Sequence, residues 1–498
     1  MSVRASPSFA SRLGRFTTLN VGQQVALIAL SLVATPVLYH RLGETAYGIL
    51  AIVTLLASQL AILEFGFGHA TIRWVAQCRA RRDDGALGRT LGTSAWVFAG
   101  TAAVGGGILL IAAEPLVEGF FNVPGGARAT AVTAVRVGSL FFVASVFGNL
   151  ASSVWQGIQR FGALNLISGV ASALQILGSL AIVVAGHGVV AVVVWSTALG
   201  FLTLAVNLVG LRRALPGIRG LGRPDGGTLK EMGRFGFLLM LAGALTQVVI
   251  SGGPLVLGHF VAIGALPFFT VPFGLYQRLN RMAYGLAGAL FPLVSELQGR
   301  RDDQTLEKVF VSGTRTLLLV GAAAMAPAVL VAAPFLSLWM GPDFAAQAGT
   351  ALEMLFVAFA FALASIPSIE LARGTGRAGL LVGYTATQAA VTVVGIALLA
   401  SGRGAEGAAL AFLAAQVAGF AFLTVKVGGR AFRRVLTPGP VLVLSAGSGA
   451  VLGALVFVEG PWSRLVLAAG LAVALAAAAL FALDAPEREA LRRMMART

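Results

Sequence analysis

Long apolar runs constrain this chain more than any other feature. Val25–Tyr39 reads VALIALSLVATPVLY, and Leu465–Leu483 reads LVLAAGLAVALAAAALFAL. An α-helix rises 1.5 Å per residue, so about 20 apolar residues cross the hydrocarbon core of a bilayer. Fourteen such blocks lie near residues 19–40, 46–67, 91–113, 131–154, 165–185, 188–211, 235–258, 264–290, 311–333, 351–372, 379–400, 405–425, 437–458 and 464–483. Only 11% of the residues are charged, against about 25% in a soluble domain. The expected fold class is an all-α polytopic membrane protein of about 14 transmembrane helices.

The net charge of +16 raises the question of nucleic acid, and the placement of the charge answers it. With the N-terminus set on the cytoplasmic side, 29 of the 36 basic residues fall in cytoplasmic segments. Among them are Arg73, Arg79, Arg81, Arg82, Arg89, Arg160 and the group from Arg212 to Arg234. Arg41, Arg128, Arg136, Arg403 and Arg464 fall outside, and Arg278 and Arg281 fall within a span. Lys and Arg accumulate on the cytoplasmic side of membrane proteins. The charge therefore records topology: both termini in the cytoplasm and no nucleic-acid partner.

The first apolar block is too long for a signal-peptide core and no well-formed cleavage site follows it, so it reads as a retained helix. A lone cysteine, Cys78, excludes an internal disulfide and a Cys-based metal site. His40, His69, His187 and His259 are widely spaced and form no ligand motif. No Walker sequence is present, and GTGRAG at 374–379 and GRGAEG at 402–407 read as turns between membrane helices. No cofactor or metal is expected.

Charged residues are scarce, yet one phrase occurs twice: RRDDGAL from Arg81 and RRDDQTL from Arg300. Further weak matches run collinear with it: AAEPL at 112 with AAPFL at 332, GIQRFG at 157 with GTGRAG at 374, and GHGVVA at 186 with GRGAEG at 402. The chain is thus expected to contain two six-helix lobes, 1–217 and 218–434. Residues 435–498 add two further helices and a cytoplasmic tail. Six is even, so both lobes enter the membrane the same way and an axis along the membrane normal relates them.

Ionisable groups inside spans are costly and by default face a bundle interior or a wet cavity. In the eighth span Gly274, Arg278, Arg281 and Gly285 form one helical stripe. Two guanidiniums one turn apart suit phosphate oxygens, while an ion pair with an acid elsewhere in the bundle is the structural alternative. The corresponding helix of the first lobe carries Gln59 and Ile62 at the arginine positions and Glu64 where the second has Ala283. Glu64 reads either as a protonatable coupling group or as a counter-ion. Glu353 and Glu370 lie nearer span ends and read as solvated.

RLGETAYG (41–48), LEFGFGHATIRW (63–74), WQGIQRFGALN (155–165), LFPLVSEL (290–297) and GAEGAALAF (404–412) together resemble the polysaccharide-transporter branch of the multidrug/oligosaccharidyl-lipid/polysaccharide (MOP) exporter superfamily. The resemblance runs from about residue 15 to 430. It implies a flippase that moves undecaprenyl-pyrophosphate-linked oligosaccharide to the outer leaflet of the bacterial plasma membrane, its two lobes alternating access around a cationic cavity. By that resemblance Arg278 and Arg281 face the cavity. Two departures stand out: Gly252 and Gly253 where relatives often have an acid, and Phe268 and Phe269 where a tyrosine is common.

The expected activity is transport without covalent chemistry, so the chain is not expected to be an enzyme. Arg278 and Arg281 would hold the pyrophosphate, Gln59 and Asn280 would meet sugar hydroxyls, and Glu64 would serve coupling. The expected partners are the lipid-linked oligosaccharide, membrane lipids, and a polysaccharide polymerase and glycosyltransferases. The alternatives are a cation-coupled multidrug exporter of the same superfamily and a non-transporting scaffold for polysaccharide assembly.

Overall fold

A computed structural model describes residues 9–60, 64, 66–216, 222–287, 294, 297–298, 303–429 and 461–482. The chain divides into two compact units: residues 1–247 with 262–264, and residues 248–261 with 265–498. Apart from one isolated bridge between Asn122 and Ala262, the described secondary structure is helical.

The first unit contains α1 (Phe9–Leu42), α2 (Glu44–Leu60), α3 (Phe67–Arg81), α4 (Asp84–Ile111), α5 (Arg128–Gly157), α6 (Phe161–Val184), α7 (Val189–Ala214) and α8 (Gly226–Gln247). Helix α5 is its hub and packs against α2, α3, α4, α6 and α7. Lipid tails are as apolar as leucine, so close packing rather than water avoidance must hold such helices together. The buried face of α5 is accordingly rich in small residues: Ala131, Ala134, Gly138, Ala144 and Ala151. A Cβ at Gly138 would lie 2.6 Å from the Val53 side chain, so this glycine seats α2 on α5. The sequence division places residues 218–247 with the second lobe; by packing, α8 lies against α3 and α4 in the first unit. Residues 262–264 also join that unit, where the Ile263 N–H donates to the Asn122 carbonyl at 3.1 Å.

The second unit begins with a π-helical turn, Val248–Gly252, which runs into α9 (Gly253–Phe260). It continues with α10 (Pro267–Ala287), α11 (Asp303–Met340), α12 (Pro342–Gly374), α13 (Ala378–Gly428) and α14 (Pro461–Ala482). Its hub is α12, packed by α10, α11 and α13. Small residues again carry the contacts. A Cβ at Gly321 would sit 3.2 Å from Ala360 Cα, and one at Gly349 3.3 Å from Ala333 Cβ. Helix α14 packs on α11 around Val329, Leu330 and Ala468. The 51-residue α13 is two membrane helices joined at Gly404, whose φ of 51° and ψ of −125° break the helix.

Among the described residues nine helices are long and apolar enough to cross a membrane, α13 counting once. Helix α2 is shorter, at 17 residues. Thirteen of the fourteen apolar blocks coincide with described helix; the block at 437–458 lies outside the described residues. The protein is an all-α, multi-pass membrane protein.

GIQRFG and GTGRAG fall on equivalent turns, whereas AAEPL follows the end of α4 and AAPFL lies inside α11. After α5, the Ile158, Gln159 and Arg160 N–H groups donate to the carbonyls of Val154, Gln156 and Trp155. After α12, those of Thr375, Gly376 and Arg377 donate to Leu371, Arg373 and Ala372. Gln159 and Gly376, at matching places in the two turns, both have positive φ (59° and 71°), as this kind of helix ending demands. In the first RRDD copy Arg82 is left-handed and Asp83 caps α4, its carboxylate accepting from Ala86 N–H at 2.8 Å. Residues 300–302 of the second copy lie outside the described residues, and its Asp303 opens α11 as Asp84 opens α4. Both glycine-rich motifs that fit G-x-G-x-x-G are interhelical turns.

Candidate functional site

Helix α10 has two faces. Phe269, Phe273 and Tyr276 form a stacked column, with ring centroids 5.2 and 5.7 Å apart. That column meets Phe412 at 5.0 Å from both Phe273 and Tyr276, and Ala283 continues the buried side. Opposite lie Gly274, Arg278, Arg281 and Gly285, at the spacing that stacks residues on one helical face. Arg278 is half-buried and Arg281 is exposed. A Cβ at Gly274 would meet the Arg278 Nη1 at 3.4 Å, so the glycine leaves the guanidinium room to lie along the helix. Asn280 falls on the aromatic face, away from the arginine stripe, and its side-chain oxygen is buried without a hydrogen-bond partner. Gln277, which the sequence reading did not single out, is half-buried and flanks the stripe.

In the first unit Gln59 lies at the end of α2, half-buried, with its amide oxygen buried and unpartnered. The carbonyl of the preceding Ser58 accepts from Gln247 Nε2 at 3.2 Å, which ties the ends of α2 and α8. Glu64 is half-buried and accepts a 2.8 Å hydrogen bond from Asn149 Nδ2 on α5. Asn149 was missed in the sequence, although an amide inside an otherwise apolar span was its signal. Ile62 lies outside the described residues.

Each unit also carries buried polar groups that hold helices together. Glu370 was expected to be solvated near a span end, and the structure corrects this. Glu370 is only 5% exposed and accepts from Arg373 Nη1 at 2.9 Å. Its helix is the hub of the unit, so neighbours cover what a lone helix would leave wet. In α13, Gln388 Nε2 donates to Tyr384 Oη at 3.0 Å and to Gln416 Oε1 at 2.8 Å, joining the two halves of that helix. In the first unit Gln175 Nε2 donates to Ser179 and Ser196, joining α6 and α7. Among the described residues no group of three His, Cys, Asp or Glu could hold a metal ion.

The described helices form an all-α, multi-pass membrane fold, and solved structures share it. The chain is similar to an inward-facing multidrug-resistance MATE family transporter of the MOP superfamily (TM-score 0.67, 16% identity, 84% of this chain and 96% of that one). It is also similar to the lipid II flippase MurJ in an inward closed conformation (TM-score 0.68, 12% identity, 92% and 98%). A third is a MOP superfamily transporter from Pyrococcus furiosus, described by the reverse polarity of its binding pocket (TM-score 0.56, 18% identity, 84% and 95%). At these identities the likeness establishes a shared fold. No curated protein matches the sequence. The polysaccharide biosynthesis protein family matches residues 40–349, more than half of the chain, and the protein belongs to that family.

Proposed function

We propose that this protein is a flippase that carries undecaprenyl-pyrophosphate-linked oligosaccharide from the inner to the outer leaflet of the bacterial plasma membrane, for cell-surface polysaccharide synthesis. The observation that carries the reading is the Arg278–Arg281 face of α10. Two guanidiniums occupy one side of a helix whose other side is an aromatic packing surface. A fixed positive pair within a span is costly unless an anion or water meets it. A pyrophosphate has the charge and the oxygen geometry that guanidinium forks bind best. Membership in a polysaccharide biosynthesis family supports a glycan as the cargo behind that headgroup. Gln59, whose amide oxygen has no partner, is the acceptor we assign to a sugar hydroxyl, and Glu64 with Asn149 is the pair we assign to coupling. Both termini are assigned to the cytoplasm.

The test is replacement of Arg278 and Arg281 by Ala in the chain's own host, with surface glycan and membrane protein level measured together. Glycan display should be lost while the protein remains at normal abundance. Undiminished display removes the headgroup assignment. Protection against cationic dyes by the unaltered protein would instead favour a multidrug exporter.

A further inference from the structure

The last part of the connection from α7 to α8 is seated on α4. The Gly222 N–H donates to the carbonyl of Gly88 at 3.0 Å, and the Asp225 N–H donates to Thr93 Oγ1 at 3.0 Å. A helical carbonyl already accepts one bond within its helix, and its second lone pair is reachable only where no side chain covers it. Gly92, one turn after Gly88, meets that condition: a Cβ there would overlap the Gly222 carbonyl oxygen. The fit is reciprocal, because a Cβ at Gly222 would lie 2.7 Å from the carbonyl carbon and oxygen of Gly88. Gly92 and Gly222 thus let two backbones touch, as glycine does wherever chains approach this closely.

Asp225 then starts α8. Its Oδ2 accepts from the Thr228 N–H and the Thr228 hydroxyl, both at 2.7 Å, an N-cap that fixes where the helix begins. Beyond the cap, α8 lies against α3 and α4. The anchor, the cap and the helix face therefore act in one direction.

We propose that Gly222–Asp225 is a strap that binds α8 to α4, so that α8 moves with α3 and α4 rather than with the helices that follow it. Residues 222–225 then belong structurally to the α4 surface. The strap is specific to glycine at positions 92 and 222, and does not depend on what the protein transports.

Amide hydrogen exchange on the full-length protein in lipid nanodiscs tests this. Peptides covering 222–229 should exchange as slowly as peptides covering 88–95, since strap and helix would open together. Gly92→Ala and Gly222→Ala, in different segments, should each speed exchange over 222–229 by about tenfold or more. Gly100→Ala is the control: it lies on α4, where a Cβ would meet nothing within 4 Å, and should change nothing. Exchange over 222–229 at the rate of an open loop in the unaltered protein overturns the proposal. So does equal loss of protection in the Gly100 variant, or no loss in the Gly222 variant.

Discussion

At the residue scale, the pair of Glu370 and Arg373 is asymmetric, and the asymmetry makes a prediction. The Glu370 side chain is 6% exposed and that of Arg373 is 50% exposed. Removing the arginine strands a buried carboxylate, whereas removing the carboxylate leaves a guanidinium that can turn to water. Arg373→Ala should therefore cost about 3 kcal/mol or more, and Glu370→Ala only about 1–2 kcal/mol. Thermal unfolding in detergent compares the two, and an equal or reversed ranking rejects the buried-acid account. The residue scale is also where the sequence was least legible. The arginine stripe of α10 could be read from spacing alone, because Gly274, Arg278, Arg281 and Gly285 share a face whatever surrounds the helix. The burial of Glu370 could not, since it depends on α12 having neighbours on every side. Asn280 could be placed on the other face of α10 by the same spacing, once the aromatic column was recognised as the packed side.

At the element scale, the turns after α5 and α12 form one motif with different chemistry at its left-handed position. Gln159 occupies it in the first turn and Gly376 in the second, at φ of 59° and 71°. A side chain there strains the backbone, while glycine does not but costs entropy in the unfolded chain. Gln159→Gly should stabilise the protein by about 0.5–1 kcal/mol and Gly376→Gln should destabilise it by a similar amount. Opposite shifts in Tm check this, and shifts of the same sign reject it. The start of α8 adds a pH dependence. Hydrogen bonds from the Thr228 hydroxyl and N–H, aided by nearby Arg89, hold the Asp225 carboxyl below its ordinary pKa of 3.8. A lowered carboxylate pKa gives stability that is complete above the unfolded value and is lost as pH falls through the folded one. The Tm difference between the unaltered protein and Asp225→Asn should therefore be constant above pH 3.8 and shrink only below it. A difference that already changes near neutral pH would assign the effect to another group.

At the scale of the whole molecule, apolar length gave the membrane helices, and the pair GIQRFG and GTGRAG gave equivalent turns. What they did not give is how helices distribute between compact units. Helix α8 follows the charged linker and looks like the opening of a second lobe. Its packing partners are nevertheless α3 and α4, and the Gly222 backbone just before it lies against Gly88 and Gly92 of α4, contacts that hydropathy does not register. Orientation in the membrane rests on charge, and one helix can test it. The 24 residues of α6 span about 36 Å at 1.5 Å per residue, so the turns at its two ends must open on opposite sides of the bilayer. The turn before it carries Arg160, and the turn after it carries Gly186, His187 and Gly188 with no Lys or Arg. Positive residues favour the cytoplasm, so His187 should face outward and Phe161 inward. Both are exposed and accept a reporter, and Cys78, which is buried, can be replaced by Ser to remove background. In intact spheroplasts a membrane-impermeant maleimide should label His187→Cys and spare Phe161→Cys, with both reacting after lysis. Labelling of Phe161→Cys alone inverts the topology, and with it the direction of transport proposed here. Equal labelling of both would deny that α6 spans the membrane.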